Sequence, residues 1–150
     1  MTTRTLEDHE IFAMFAKIQG RYAVRDRTML MLVIHMALRA NELCGLMVGG
    51  VYNGSDVRTY VTIRPETAKP GKGRTSRISE GVGKAITDFI DYKATHREPL
   101  SPSAALFVSQ KGGHLSRKTL FTIVKTLLQS ASIHQSPHCL RKTGATIYYN

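Results

Sequence analysis

The segment from residue 25 to residue 38 constrains the fold more than any other part of the sequence. After Arg27 it is apolar nearly all round, and its longest apolar run, Met29–Leu38, is interrupted by His35. A helix that is apolar on every face is buried. The run is also far shorter than the ~20 residues that a membrane span needs. We therefore predict a central core helix and expect no membrane partner.

Four further helices are predicted from apolar residues at helical spacing and from their end signals. The first covers residues 6–19, with Thr5 and Asp8 spaced as a capping box. A short one, Asn41–Met47, follows the core helix. The others cover residues 80–96 with Ser79 as the cap, and residues 116–130. A last helix opens at Ser136 and Pro137 and runs to the chain end.

Strand signals are confined to the middle of the chain. Residues 58–64 alternate β-branched and aromatic side chains, a Gly- and Lys-rich turn follows, and a short strand resumes at residues 77–79. We predict a β-hairpin, with one more short strand near residues 48–51. The fold class is therefore mostly α with a small antiparallel β-sheet (α+β), in a single domain of 150 residues.

The charge balance points to a polyanionic partner. Lys and Arg number 21 against 11 Asp and Glu, a formal net charge of +10. Clustered cations displace the counterions of a phosphate backbone, although a membrane surface or an acidic protein would also fit the charge alone. Two cysteines make no disulfide framework, and the N-terminus lacks a signal-peptide pattern. We expect reduced thiols and a cytoplasmic protein.

The start of the last helix is suited to binding an anion. His138 and Arg141 are three residues apart, so they share a helix face, and they lie in the first turn after Ser136 and Pro137. Free backbone N–H groups and the helix dipole favour an anion there. Arg supplies a planar fork for phosphate, and His supplies a proton near neutral pH. An isolated H-x-x-R is common, however, and equally describes a capped helix with two polar surface residues.

Four motifs together resemble the tyrosine recombinases, the phage integrase family. The string Ser136–Thr146, SPHCLRKTGAT, resembles their second conserved box. Arg39-Ala-Asn-Glu42-Leu after an apolar helix resembles their first box. Gly71-Lys-Gly-x-x-x-Arg77 resembles their lysine hairpin, and Leu106–Gly113 resembles the segment before the penultimate helix. The motifs occur in the family order and span nearly the whole chain.

The resemblance implies a role for each motif residue. Arg39 and Arg141 would clamp the scissile phosphate and neutralise charge in the transition state. Lys72 would protonate the leaving 5′ oxygen, with Lys69 as the alternative lysine; Lys72 fits the motif spacing, whereas Lys69 precedes a proline. His138 would take a proton or hydrogen-bond the phosphate. The resemblance implies no metal and no cofactor.

Several of these residues also have simpler interpretations. A cation such as Arg39 at the C-terminal end of an apolar helix interacts favourably with the helix dipole. A lysine such as Lys72 in a Gly-rich turn is usually just solvated. Glu42 is expected to orient Arg39 rather than to take part in chemistry.

The sequence departs from the family at its end. The family nucleophile, a tyrosine that forms a 3′-phosphotyrosyl link, lies several turns beyond the H-x-x-R box. Tyr148 and Tyr149 correspond instead to apolar core positions, so we expect no nucleophile in the chain. We therefore expect residues 1–150 to be a catalytic domain that lacks the N-terminal core-binding domain and the C-terminal tyrosine segment. Ala37 also replaces a family glycine.

The resulting hypothesis is a site-specific recombinase domain that binds duplex DNA. The parent enzyme would cleave and rejoin DNA as a tetramer, in a bacterial or phage-infected cell. This chain alone would be a monomer inactive for cleavage. The alternatives are a non-catalytic DNA-binding regulator of the helix-turn-helix kind, or a degenerate recombinase relic. A type IB topoisomerase is disfavoured by the short length and the Gly-Lys-Gly hairpin.

Overall fold

A mostly buried, largely apolar helix lies at the centre of the computed structural model, which describes residues 4–63 and 74–140. This helix, α2, packs mainly against α5. Seven of its residues are buried, as predicted, while His35 is exposed. In chain order the elements are α1 (Asp8–Ala16), α2 (Ala23–Met36), α3 (Ala40–Cys44), α4 (Val48–Val51), β1 (Tyr60–Ile63), β2 (Arg74–Arg77), α5 (Glu80–Thr95) and α6 (Arg117–Ser130).

Serine caps begin the two long helices of the second half. The hydroxyl of Ser79 accepts a hydrogen bond from the Val82 amide at 3.3 Å, and that of Ser116 accepts one from the Thr119 amide at 3.1 Å. Each bond satisfies an amide that the first helical turn leaves without a partner. Both predicted helices are confirmed to within a residue at each end.

The first helix is shorter than predicted, and the predicted cap is wrong. It begins after Glu7, whose amide donates to Oε1 of Glu10 at 3.0 Å. The capping box is therefore Glu7 with Glu10, not Thr5 with Asp8. Arg4 fixes this arrangement, since its guanidinium donates to both carboxylate oxygens of Glu10 at 2.7 Å. The carboxylate of Glu10 is therefore held by two charge-assisted hydrogen bonds, which are stronger than neutral ones.

The short strand expected near residues 48–51 is wrong, because Val48–Val51 is a single helical turn. Its amides are satisfied from another segment: Val48 donates to Ala104 O at 2.8 Å and Gly49 to Pro102 O at 2.9 Å. A Cβ at Gly49 would lie 2.8 Å from that Pro102 oxygen, closer than side chains tolerate. The glycine thus permits the backbone of residue 102 to cross close to this turn. The β-branched valines on either side favour a strand and give no sign of that crossing.

The predicted hairpin is confirmed, with shifted bounds. β1 and β2 pair antiparallel, from Tyr60 opposite Arg77 to Ile63 opposite Arg74. The inner face of β1 carries buried Val61 and Ile63. β1 is shorter than the predicted strand at residues 58–64. β2 begins at Arg74, earlier than the predicted start at residue 77. The connecting turn, with Lys69 and Lys72, lies outside the described residues.

A fully buried lysine ties the end of α5 to the following loop. Nζ of Lys93 donates to Oε1 of Glu98 at 2.9 Å, to Leu106 O at 2.8 Å and to Ala105 O at 3.3 Å. A buried ammonium is tolerated only when paired and hydrogen-bonded, and here all three of its protons have an acceptor. Within the two described ranges, no helix is both long enough and apolar enough to cross a membrane.

Candidate functional site

Arg39 lies in the sharp connection between α2 and α3. Ala37 ends α2 in the left-handed region, with φ 53° and ψ 38°. This conformation costs an alanine about 1–2 kcal/mol and a glycine little, which gives a physical reason for the glycine that the resemblance implies at this position. Arg39 itself is extended and forms the N-cap of α3. The turn therefore points the chain back into a new helix immediately after the arginine.

Glu42 is the fully buried carboxylate behind Arg39. Its Oε1 accepts from the Arg39 amide at 2.8 Å and from Nη2 of Arg74 at 2.9 Å. Its Oε2 lies 4.0 Å from Nη1 of Arg39 and accepts no hydrogen bond within the described part of the chain. The carboxylate thus holds the backbone of Arg39 directly and touches its guanidinium only loosely. This geometry supports the prediction that Glu42 orients Arg39.

His138 begins the last helical turn that the structure describes, residues 138–140. The amide of Cys139 donates to Ser136 O at 3.0 Å, and that of Leu140 to Pro137 O at 3.1 Å. The imidazole packs edge to face on Phe121 of α6, with ring centroids 5.6 Å apart. The predicted helix start is therefore present, and an aromatic ring outside the motif contacts the histidine.

Arg39 and His138 line one cleft, with a volume of about 410 Å³. The start of α6 forms another part of the wall, with Arg117, Lys118 and Phe121. None of the described residues that line the cleft is a carboxylate. Three permanent cations and a histidine around one concavity favour an anionic ligand of phosphate type. The apolar floor consists of Val33, Leu38, Ala40, Leu120, Val124, Pro137 and Leu140.

The structure places only some of the predicted site residues. Arg39 and His138 are brought together at the cleft, and Glu42 lies directly behind Arg39. Arg141, Lys72, Lys69, Tyr148 and Tyr149 lie outside the described residues. Their assigned roles, like those of Arg39 and His138, stay predictions.

Sequence reasoning missed four residues of this region: Arg74, Arg117, Lys118 and Phe121. The two cations at the start of α6 follow the Ser116 cap, so a helix N-terminus with adjacent cations was a usable signal. No local pattern marks Arg74 or Phe121, because each acts through a contact between distant segments.

The two cysteines, Cys44 and Cys139, lie in environments that disfavour the nucleophilic thiolate form. Burial raises the pKa of both the Cys44 and the Cys139 thiol to about 11. A thiol with such a pKa is protonated at neutral pH and reacts slowly. In the described ranges, no group of three or more metal-ligating side chains is found.

Comparison with known proteins identifies the family. The phage integrase family model matches residues 4–150. The chain belongs to the phage integrase family. The tyrosine recombinase XerC of Caldanaerobacter subterraneus subsp. tengcongensis is 30% identical over 148 residues, which cover 97% of this chain and 38% of the relative. XerC of Corynebacterium efficiens is 33% identical over 124 residues, which cover 81% of this chain and 37% of the relative.

Solved structures of the family share this fold. A crystal structure of XerA recombinase superposes with a TM-score of 0.74 at 21% identity, covering 97% of this chain and 50% of that structure. XerH recombinase bound to its difH substrate before cleavage gives a TM-score of 0.74 at 19% identity, covering 99% and 43%. The predicted fold, a helical recombinase catalytic domain with a small sheet, is confirmed. This integrase-family chain spans half or less of the length of these relatives and structures.

Proposed function

We propose that this chain is the catalytic domain of a tyrosine site-specific recombinase, which binds duplex DNA around a scissile phosphate. The observation that carries the proposal is the cationic cleft that Arg39 and His138, two residues far apart in sequence, both line. Such a cleft can hold a phosphodiester between a guanidinium and an imidazole. The parent enzyme cleaves and rejoins DNA through a 3′-phosphotyrosyl intermediate.

In this proposal the cations stabilise charge on the phosphate. Arg39 and Arg141 bind its non-bridging oxygens and neutralise the extra charge of a pentacoordinate transition state. His138 exchanges a proton or donates to the phosphate, and Lys72 protonates the leaving 5′ oxygen. None of the six tyrosines of the sequence is assigned the role of nucleophile.

Assembly and location form the second part of the proposed function. The intact enzyme works as a tetramer on two duplexes, and this chain alone is a monomer in the absence of DNA. One structure of similar fold is a lambda integrase tetramer bound to a Holliday junction, at a TM-score of 0.70 and 14% identity. The protein acts on DNA in the cytoplasm of a bacterial or phage-infected cell.

Binding to a labelled duplex, measured by fluorescence anisotropy at fixed salt, tests the cleft. Arg39→Ala and His138→Ala are expected to weaken binding, whereas Arg27→Ala, an exposed arginine of α2 that does not line the cleft, is expected to leave it nearly unchanged. Equal effects of all three variants would instead favour a regulator that binds DNA through diffuse charge.

A suicide substrate, whose cleaved strand cannot be rejoined, tests the chemistry. The 150-residue chain is expected to form no protein–DNA adduct that survives denaturation. An adduct formed by this chain would show that one of its own tyrosines attacks, and mass spectrometry of the linked peptide would identify that tyrosine.

A further inference from the structure

One buried carboxylate faces two arginines at the back of the cleft. The Glu42 side chain is completely buried, so its charge requires compensation from nearby cations or hydrogen-bond donors. Arg39 and Arg74 are the two described cations within 4.0 Å of it. A single carboxylate can neutralise only one of them.

The distances divide the two arginines into different roles. Nη2 of Arg74 donates to Oε1 at 2.9 Å, a direct charge-assisted hydrogen bond. Nη1 of Arg39 stays 4.0 Å from Oε2, beyond hydrogen-bond distance. The Arg39 side chain is 42% exposed and lines the cleft. Arg74 therefore neutralises Glu42, and the charge of Arg39 remains available to a ligand.

We propose that Arg74 is a positioning residue: as the counter-ion of Glu42, it keeps the Arg39 guanidinium out in the cleft. The same bond ties the first residue of β2 to α3, since Arg74 begins that strand. The hairpin and the arginine that binds the anion are thereby held by one carboxylate. The inference rests on the proposed function only in taking the ligand of the cleft to be a phosphate.

Removal of Arg74 has a specific consequence in this arrangement. Glu42 would remain buried with its charge uncompensated, a costly state. Arg39 needs to move only about 1 Å to reach normal hydrogen-bond distance to Oε2. Its guanidinium would then pair with Glu42 and withdraw from the cleft. Replacing Glu42 by Gln as well removes the charge that attracts Arg39, while an amide oxygen still accepts from the Arg39 backbone.

The test compares Arg74→Gln, Glu42→Gln and the double variant in the 150-residue chain, with inorganic phosphate as the probe. Arg74→Gln is expected to weaken phosphate binding about tenfold, the effect of pairing the Arg39 guanidinium with Glu42 in about nine molecules out of ten. The double variant is expected to recover most of that affinity, and Arg74→Lys to stay near wild type. Arg77→Gln, an exposed arginine on the same strand, serves as the matched control. Thermal unfolding checks that each variant folds.

A spectroscopic readout separates this role from a merely structural one. In ligand-free protein, the Nε–Hε signal of Arg39 in ¹H–¹⁵N spectra is expected to shift, and rotation of its guanidinium to slow, in Arg74→Gln but not in the double variant. Equal weakening in the single and double variants, with an unshifted Arg39 signal, would overturn the inference. If wild type fails to bind phosphate, or binds it equally well after Arg39→Ala, the proposed phosphate site fails, while the Arg39 signal still tests the role of Arg74.

Discussion

At the scale of single residues, the contact between Phe121 and His138 shows how the site depends on side chains outside the motifs. The two rings meet edge to face at an interplanar angle of 65°. Phe121 remains 41% exposed, so it contributes little to the core, and its ring packs on one side of the imidazole, which is itself exposed. Aromatic pairs of this geometry contribute ~0.5–1.5 kcal/mol beyond burial, enough to select one ring orientation.

We expect Phe121→Ala to release the His138 ring. The carbon-bound imidazole protons should move toward the chemical shifts of a free histidine, because the ring current of the neighbouring phenyl group is lost. Phosphate binding should weaken several-fold, as the ~0.5–1.5 kcal/mol of the contact implies. Phe12→Ala, which removes a 75% exposed phenylalanine from α1, is the control. Unchanged His138 signals in Phe121→Ala would show that the contact does not orient the ring.

Lys93 is the second residue whose environment allows a sharp prediction. Lys93→Met keeps an unbranched side chain, one heavy atom shorter, but leaves the carbonyls of Ala105 and Leu106 and the carboxylate of Glu98 without their donor. Breaking a buried charged pair costs ~3–5 kcal/mol, so we expect a loss of that size in the free energy of unfolding in urea. Lys84→Met, on an exposed position of the same helix, should change it by ~0.5 kcal/mol or less. Similar losses in both variants would contradict the role of the buried ammonium.

At the scale of elements, α1 is fixed by charge at its first turn. Glu10 accepts from the Arg4 guanidinium and from the Glu7 amide, and the hydrogen bond from Arg4 is the main cause that lowers the pKa of Glu10 from 4.5 to about 2. Arg4 also donates its amide to Oε1 of Gln135 at 3.3 Å, which joins this region to the segment before His138. The residues just before α1 thus contact the segment that leads into the site.

The lowered pKa of Glu10 predicts the direction of a pH effect. The unfolded chain binds the proton near pH 4.5 and the folded chain only near pH 2. Stability from this group is therefore complete above pH 4.5 and is lost as the pH falls toward 2. Glu10→Gln should flatten this part of the dependence of Tm on pH, whereas Glu80→Gln, in the exposed first turn of α5, should not. Because Arg4 is half exposed, solvent limits the size of the effect.

Element prediction succeeded where the end signals were local and unique. Ser79 and Ser116 each precede a clear amphipathic pattern, and both helices begin where these caps predict. The signal at α1 was ambiguous, since Thr5 with Asp8 and Glu7 with Glu10 share the same spacing. The turn at Val48–Val51 could not be predicted, because its conformation depends on hydrogen bonds to a segment more than fifty residues later.

At the scale of the whole molecule, the cleft is assembled from segments that only the fold brings together. The family motifs point to Arg39, Glu42 and His138, of which Arg39 and His138 line the cleft. They carry no information on Arg74 or Phe121, because those contacts depend on how the hairpin and α6 pack. The lysine of the hairpin and Arg141 lie outside the described residues, so their place in the site remains a prediction from the motifs alone.

The salt dependence of DNA binding shows which cations of the molecule contact DNA phosphates. With a net charge of +10, the chain attracts duplex DNA from any side, but only cations that contact phosphates release counterions. Each phosphate contact adds ~0.9 to the slope of log K against log salt concentration. Arg117 and Lys118 line the cleft, so Arg117→Gln with Lys118→Gln should reduce the slope by about 2.

The matched control removes the same charge elsewhere. Lys84→Gln with Arg97→Gln replaces two exposed cations that do not line the cleft, and it should leave the slope nearly unchanged. Anisotropy titrations from about 50 to 200 mM salt cover the range in which such slopes are measured. If DNA phosphates contact the cleft, only the Arg117→Gln, Lys118→Gln variant has a smaller slope than wild type. Equal reductions in both pairs would mean that the duplex is held by the charge of the whole surface, and that the cleft does not engage the phosphate backbone.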